Sequence, residues 1–362
     1  MAYYFATEVL LIFIAFIFPP RKRHTKNMIL RREGCKASGG AAYTFFAAVI
    51  LSAFMGLRND FAQDYANYVY LFEKNAKQTV REVIIDNDYT ELGYRLLNKF
   101  VSLISPQPIA LMLVVALIFV FLILLEGRSE VSNMLIYVLL FVNVGIYFLT
   151  FNMMRQGLAA AILYCGTKYL RNDEKWKYVV VVLLASTIHT TALAMLLAVP
   201  FLTRKICKKN IFQITCLGIL VTIFLPQIIL LVQQYRYSDY VYGMQAAHNL
   251  NGVIVQWSVF IFSVYVTMTG KVDYKSVNGK IVINGSIFFM ITSVLSLRVN
   301  QLSRITYFFS PYLMAYGTNA IDAFAKQRNR AIKPLIVMLL ITYMWVWLHD
   351  ESYAQYKFFW QL

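Results

Sequence analysis

Residues 151–202 read FNMMRQGLAAAILYCGTKYLRNDEKWKYVVVVLLASTIHTTALAMLLAVPFL. The stretch puts Arg155 and His189 inside segments otherwise apolar enough to lie in a bilayer. A charge at that depth is costly, so it persists mainly where it faces a polar cavity or a bound anion. Asn152, Arg155 and Gln156 stand three and four positions apart, which places them on one face of a helical first turn. That turn reads as a polar wall.

The surrounding chain has the composition of a membrane protein. Of its 362 residues 59% are hydrophobic and 14% charged, against about a quarter charged in soluble domains. Apolar runs near the roughly 20 residues needed to cross hydrocarbon recur along it. They fall at about 3–19, 40–57, 108–125, 132–150, 153–170, 178–203, 210–232, 252–269, 281–297, 305–324 and 334–349. The expected fold is all-α: one integral domain, 1–362, forming a polytopic helix bundle of about 10 crossings. The first run lacks a basic stretch before it and a small-residue cleavage site after it, so it is expected to be a retained span rather than a signal peptide.

The net charge of +16 raises the question of nucleic acid, and its distribution answers it. Of the 34 Lys and Arg, 23 lie in one alternate set of loops: Pro20–Ser38, Glu126–Val131, Lys168–Lys177, Arg204–Lys209, Gly270–Lys280 and Lys326–Lys333. This is the positive-inside bias, which makes those loops cytoplasmic and leaves no reason to invoke nucleic acid. The four cysteines, Cys35, Cys165, Cys207 and Cys216, have no spacing that suggests zinc or a disulfide framework.

The run 178–203 lies between two basic loops that both belong inside, so a single crossing breaks the rule. Two half-helices meeting near Ser186–Thr191 restore it, because irregular backbone at membrane depth is tolerated where protein encloses it. His189 is then at the tip of a re-entrant hairpin. The alternative is one long tilted helix, with a crossing misassigned elsewhere. With the hairpin, Arg58, Arg155, Arg298 and Arg304 all fall at the outer face.

The long external loop, 58–106, begins RNDFAQDYANYVYLFEKN. Asp60, Asp64 and Tyr68 are four apart in succession, so one helix would align two carboxylates and a phenol. Further on, Leu92, Leu96, Phe100 and Leu103 form an apolar stripe opposed by Glu91, Tyr94, Arg95 and Asn98. That pattern is an amphipathic helix, at the interface or packed over the bundle. A second external loop, Gln233–Asn251, is rich in tyrosine, as an aromatic belt or a sugar-stacking platform would be.

Arg155 stands near the start of a helix, where orphan N–H groups and a guanidinium together suit a phosphate; an Arg that snorkels to headgroups is the alternative. His189, among Ser186, Thr187, Thr190 and Thr191, suits a general base or a donor to phosphate, or else a helix–helix hydrogen bond. Asp60, Asp64 and Glu91 are candidate carboxylates, although acids in an external loop are usually just solvated. No phosphate loop, dinucleotide-binding glycine pattern, zinc motif or nucleophile elbow is present, so no cofactor or metal is expected.

Five stretches together resemble the EpsG family, relatives of the Wzy-type bacterial polysaccharide polymerases. They are GLRNDFAQDYANYVYLF (Gly56–Phe72), YTELGYRLLNKF (Tyr89–Phe100), FNMMRQGLAAAI (Phe151–Ile162), ASTIHTTAL (Ala185–Leu193) and SRITYFF (Ser303–Phe309). The first contains both Asp60 and Asp64, so which carboxylate answers to the family pattern is open. The resemblance implies a GT-C-like glycosyltransferase in the bacterial cytoplasmic membrane, working at its outer face on oligosaccharide units carried by undecaprenyl diphosphate, in exopolysaccharide, capsule or O-antigen synthesis. A chain-length regulator and a flippase of the same pathway are the implied partners. In that reading Arg58, Arg155, Gln156, Arg298 and Arg304 hold diphosphates. His189, Asp64 or Glu91 is the base, and Asn152, Asp60, Tyr68 and Tyr94 support them. A glycan ligase, a lipid-linked oligosaccharide flippase and a scaffold without chemistry are the competing readings.

Overall fold

Small residues decide how the first helices pack. The computed structural model describes residues 2–20, 40–60, 62–86, 88–144, 146–205, 224, 250–269, 272, 276–296, 302–327 and 356–361. The expected span 210–232 apart from Phe224, the expected span 334–349, the tyrosine-rich loop before residue 250 and Arg298 lie outside these residues. Among the described residues the fold is helical apart from one short ladder. The chain divides into two compact units, Met1–Met154 with Ile321–Leu362, and Arg155–Ala320.

The first unit holds α1 (Ala2–Ile17), α2 (Ala41–Gly56) and the 23-residue α6 (Pro108–Glu130). Antiparallel α2 and α6 approach closely because the contact face of α2 is small: a Cβ on Gly56 would sit 2.7 Å from the Leu113 Cα. Ser52 Oγ donates to the Ala116 carbonyl at 3.4 Å. Packing through small residues is what membrane helices use where lipid is as apolar as a side chain. The single run expected at 132–150 is broken into α7 (Met134–Asn143) and α8 (Ile146–Asn152), inclined by 44°. On length and composition α6 and α13 (Val277–Ser296) can each cross a membrane, and the bent α7–α8 pair can supply a third crossing.

The external loop is a folded layer of three helices: α3 (Tyr65–Lys77), α4 (Val80–Ile85) and α5 (Leu92–Ile104). A capping box starts α4, with Thr79 Oγ1 accepting from the Glu82 amide and Glu82 Oε2 accepting from the Thr79 amide. The amphipathic α5 forms as expected, but its burial runs opposite to that of a soluble helix. Tyr94, Arg95, Asn98 and Lys99 are buried, while Phe100, Leu103 and Ile104 are exposed, Ile104 to 84%. The buried cations find carbonyls at helix C-termini. Lys99 Nζ donates to Ala76 O at 3.0 Å and Arg95 Nη1 to Asp86 O at 2.6 Å, which places positive charge at the negative ends of α3 and α4.

One expectation fails in this loop. Asp60, Asp64 and Tyr68 do not share a helix, because α3 begins only at Tyr65 and Asp60 sits in a turn with positive φ at Asp60 (40°) and Ala62 (86°). Asp64 is exposed and Tyr68 buried, so the two face different ways.

The second unit starts with α9 (Met154–Arg171), followed by α10 (Lys175–Ser186), a 3-10 turn (Thr190–Ala194) and α11 (Met195–Leu202). Then come α12 (Leu250–Met268), α13 and α14 (Leu302–Gln327), whose residues from Ile321 on are counted with the first unit. The apolar run 178–203 breaks at Thr187–His189, at the expected meeting of two half-helices, and the chain turns back. The Tyr178 ring, near the start of α10, packs by Gly166, and Tyr312 packs on Gly285 and bonds Thr167 at 2.9 Å. At that same level Asn284 Nδ2 donates to the carbonyls of Leu202 and Arg204 at 2.9 and 2.8 Å, tying down the end of α11. The beginning of α10 and the end of α11 therefore share a level, and the segment is a hairpin. Its arms rise about 18 and 22 Å, short of the roughly 30 Å of hydrocarbon.

Candidate functional site

In the first unit the residues of the quoted motifs converge on one feature, the break at Asn152–Met153 between α8 and α9. The Tyr68 hydroxyl spans it, donating to the Asn152 carbonyl at 2.7 Å and accepting from the Met154 amide at 3.0 Å. Two backbone groups that the helix cannot satisfy at a break are thereby paired. Tyr94 is fully buried with its ring edge-on to Tyr68, centroids 6.2 Å apart. The Asp64 amide approaches Asn152 Oδ1 at 3.5 Å. Glu91 is half-buried immediately before α5.

Arg58 grips the same break from the other side. It is 0% exposed, with Nη1 donating to Met55 O at 2.6 Å and Nη2 to Phe151 O at 3.1 Å and Met154 Sδ at 3.0 Å. Its guanidinium lies 5.0 Å from the Phe151 ring centroid. The cation caps the C-termini of α2 and α8, where the helix dipoles favour it. A diphosphate oxygen would have to reach within about 2.9 Å of an N–H, and this enclosed guanidinium offers no open face for that. Arg58 in this arrangement holds the break.

A strap that the sequence reading passed over secures this end. Lys357–Phe358 pairs antiparallel with Arg58–Asn59, and the Phe359 amide donates to Leu57 O at 2.9 Å. Tyr356 stacks on Phe54, centroids 4.5 Å apart, and its hydroxyl donates to Phe54 O at 2.5 Å. The signal available was the aromatic run Tyr356, Phe358, Phe359 and Trp360 after the last apolar segment.

In the second unit Gln156 Nε2 donates to the carbonyl of Arg304. Farther along, Thr167 and Tyr312 meet, so α9 and α14 run parallel with their N-termini side by side. Arg155 is half-buried in the first turn of α9, and Arg304 is exposed in the first turn of α14. Cations in a first turn oppose the helix dipole, which favours acids there. Two such arginines beside two sets of N-terminal amides make a concentration of positive charge suited to an anion with several oxygens.

His189 is at the hairpin tip, half-buried, as the residue that begins the 3-10 turn. Counting rises from Gly166, which packs on Tyr178 and Val181, the tip falls about 5–9 Å short of the level of Arg155.

Outside the membrane-spanning segments, a charge cluster ties α3 to α4. Lys74 meets Asp88 at 2.8 Å and Asp86 at 3.1 Å, and Gln78 donates to Asp86 at 3.0 Å. The Gln78 hydrogen bond and then Lys74 hold the Asp86 carboxyl below the usual carboxylate range, and hydrogen bonds to Asp88 and Asp86 raise the Lys74 ammonium.

A family model matches residues 41–360, from the first residue of α2 to the strap that pairs with Arg58. The chain belongs to the EpsG family. All five stretches that carried the resemblance lie within this EpsG match, and α1 precedes it. Comparison with curated proteins and with solved structures gave no match. Membership implies a Wzy-like polysaccharide polymerase and a multi-pass membrane protein, and the apolar helices agree with the latter.

Proposed function

We propose that this EpsG-family chain is a glycan polymerase of the bacterial cytoplasmic membrane that joins undecaprenyl-diphosphate-linked oligosaccharide units at the outer face. The observation that carries this reading is the pair of parallel helix starts, each with an arginine in its first turn. Arg155 and Arg304 there oppose their helix dipoles, and a bound diphosphate offsets that cost. Gln156 keeps the two starts together through the Arg304 carbonyl.

In this reading a hydroxyl oxygen of the acceptor unit attacks the anomeric carbon of the growing chain. The bond from that carbon to the diphosphate breaks, and undecaprenyl diphosphate leaves with the electron pair. Arg155 and Arg304 stabilise the charge that develops on it. The hydroxyl proton passes to a base, and Asp64 is one exposed carboxylate of the external loop among the candidates for it. His189 stands inward of Arg155, so it serves as a donor on the lipid side of the diphosphate. The lipid donor carries its own leaving group, so the reaction calls for no nucleotide or metal. In this reading the hairpin, whose arms fall short of the hydrocarbon thickness, is a re-entrant element, and the basic loops on either side of it share the cytoplasmic face.

Cells lacking the gene and complemented with Arg155→Ala, Arg155→Lys or Arg304→Ala test this, with membrane levels of each variant matched. Surface glycan of single units in place of polymer is expected from both alanine variants, and Arg155→Lys is expected to fail where two-oxygen contact is needed. Normal polymer from both alanine variants would remove the site. Lipid-linked units trapped inside would point to a flippase instead.

A further inference from the structure

Glu8 is the one acidic or basic residue between Ala2 and Pro20, and in α1 it is 1% exposed. Its Oε1 accepts from Asn143 Nδ2 at 2.6 Å, and the same amide nitrogen donates to Leu139 O at 2.8 Å. Both N–H groups of Asn143 are thus used. Glu8 Oε2 and Asn143 Oδ1, at the other ends of the same carboxyl and carboxamide, are buried with no hydrogen-bond partner. Among the described residues no cation pairs with Glu8.

A hydrogen on one of these two acceptors, donated to the other, would satisfy both. An ionised carboxylate in a span with a single neutral donor pays the desolvation of a full charge, whereas the neutral acid does not. A carboxylic acid and a primary carboxamide are complementary, each giving one hydrogen bond and taking one. We propose that Glu8 is held as the neutral acid, that its Oε2–H donates to Asn143 Oδ1, and that this two-bond ring latches α1 to the bend between α7 and α8.

The location gives the latch its consequence. Asn143 is the last residue of α7, and the 44° bend follows it. The next helix, α8, ends at Asn152, in the break that Arg58 and Tyr68 grip. Glu8 and Asn143 are therefore positioning residues for α8, and Glu8 lies outside the residues that match the EpsG family. A bound metal cation such as sodium would also satisfy two acceptors, so the experiment separates the two.

The full chain in nanodiscs is compared as wild type, Glu8→Gln, Glu8→Ala, Asn143→Ala and the double alanine variant. Infrared spectra at neutral pH should show a protonated carboxyl C=O band in wild type that Glu8→Gln lacks. Glutamine can give and take the same two hydrogen bonds, so its unfolding temperature should stay within about 2 °C of wild type, with each alanine variant lower by about 5 °C or more. The double variant should fall no further than the worse single one, as coupled partners do. A carboxylate band alone, or unfolding temperatures indifferent to every substitution, would overturn the latch. So would stabilisation by sodium chloride in wild type that Glu8→Gln loses, which would assign the site to a metal cation. These readouts are independent of glycan synthesis, so they stand or fall apart from the polymerase reading.

Discussion

Arg58 and Arg155 look alike in sequence, each at the edge of an apolar run and each in a stretch shared with the family. Their surroundings separate them. Arg58 is enclosed by carbonyls, a thioether and a ring at two helix C-termini, where a cation is electrostatically at home. Arg155 is half-buried at an N-terminus, where it is not. Arg58→Lys is accordingly expected to lower the amount of folded protein, because a point charge cannot serve both carbonyls. Arg155→Lys should leave that amount unchanged and lower polymer; fluorescence-detected size exclusion alongside the glycan ladder reads both. Tyr68→Phe strands the Met154 amide and the Asn152 carbonyl at the break. It should cost about 2 kcal/mol of stability, measured as a lower unfolding temperature, and unchanged unfolding would mean that water or a local shift repairs the break.

At the scale of elements, the external loop stands on its charges as much as on its apolar contacts. The Asp86 carboxyl is depressed in the folded loop, so its contribution is complete above the unfolded value and is lost as pH falls through the folded one. The Lys74 ammonium is raised, so its contribution is complete below its unfolded value and is lost as pH rises through the folded one. Amide protection across α3 and α4, taken relative to the intrinsic exchange rate at each pH, should be greatest between those limits. Asp86→Asn should remove most of the acid limb, and an acid limb of unchanged size in that variant would shift the credit to other groups. The inverted burial of α5 belongs to the same scale. Phe100, Leu103 and Ile104 point away from the protein next to the start of α6, as an interfacial helix does when lipid is its apolar partner.

Across the whole molecule, the first unit spends its buried cations on helix C-termini, with Arg58, Arg95 and Lys99 all donating to terminal carbonyls. The second unit instead carries arginines at the starts of α9 and α14. The hairpin makes the sidedness of that pair testable. With the native cysteines replaced, single cysteines at Asn172 and Thr203 should both react with an impermeant thiol reagent from the cytoplasmic side only. Labelling of Thr203→Cys from outside would make the segment a crossing and would undo the outer-face assignment of Arg155.

Periodicity and charge were enough to find the apolar helices among the described residues and to break 178–203 near His189, because both follow from local composition and the cost of moving charge across lipid. Packing decided the rest. A stripe on α5 is visible in sequence, but which face turns inward is not, since lipid and protein interior are both apolar. Asp60, Asp64 and Tyr68 have helical spacing, and only the positive-φ turn at Asp60 and Ala62 shows that the helix has not begun. The latch at Glu8 needed its partner 135 positions away, and the two arginines are told apart by which helix end lies beside them and by how far each is enclosed. Those are long-range facts: a single chain encodes them through contacts that no window of sequence contains, and the free energy of a buried charge is fixed by those contacts.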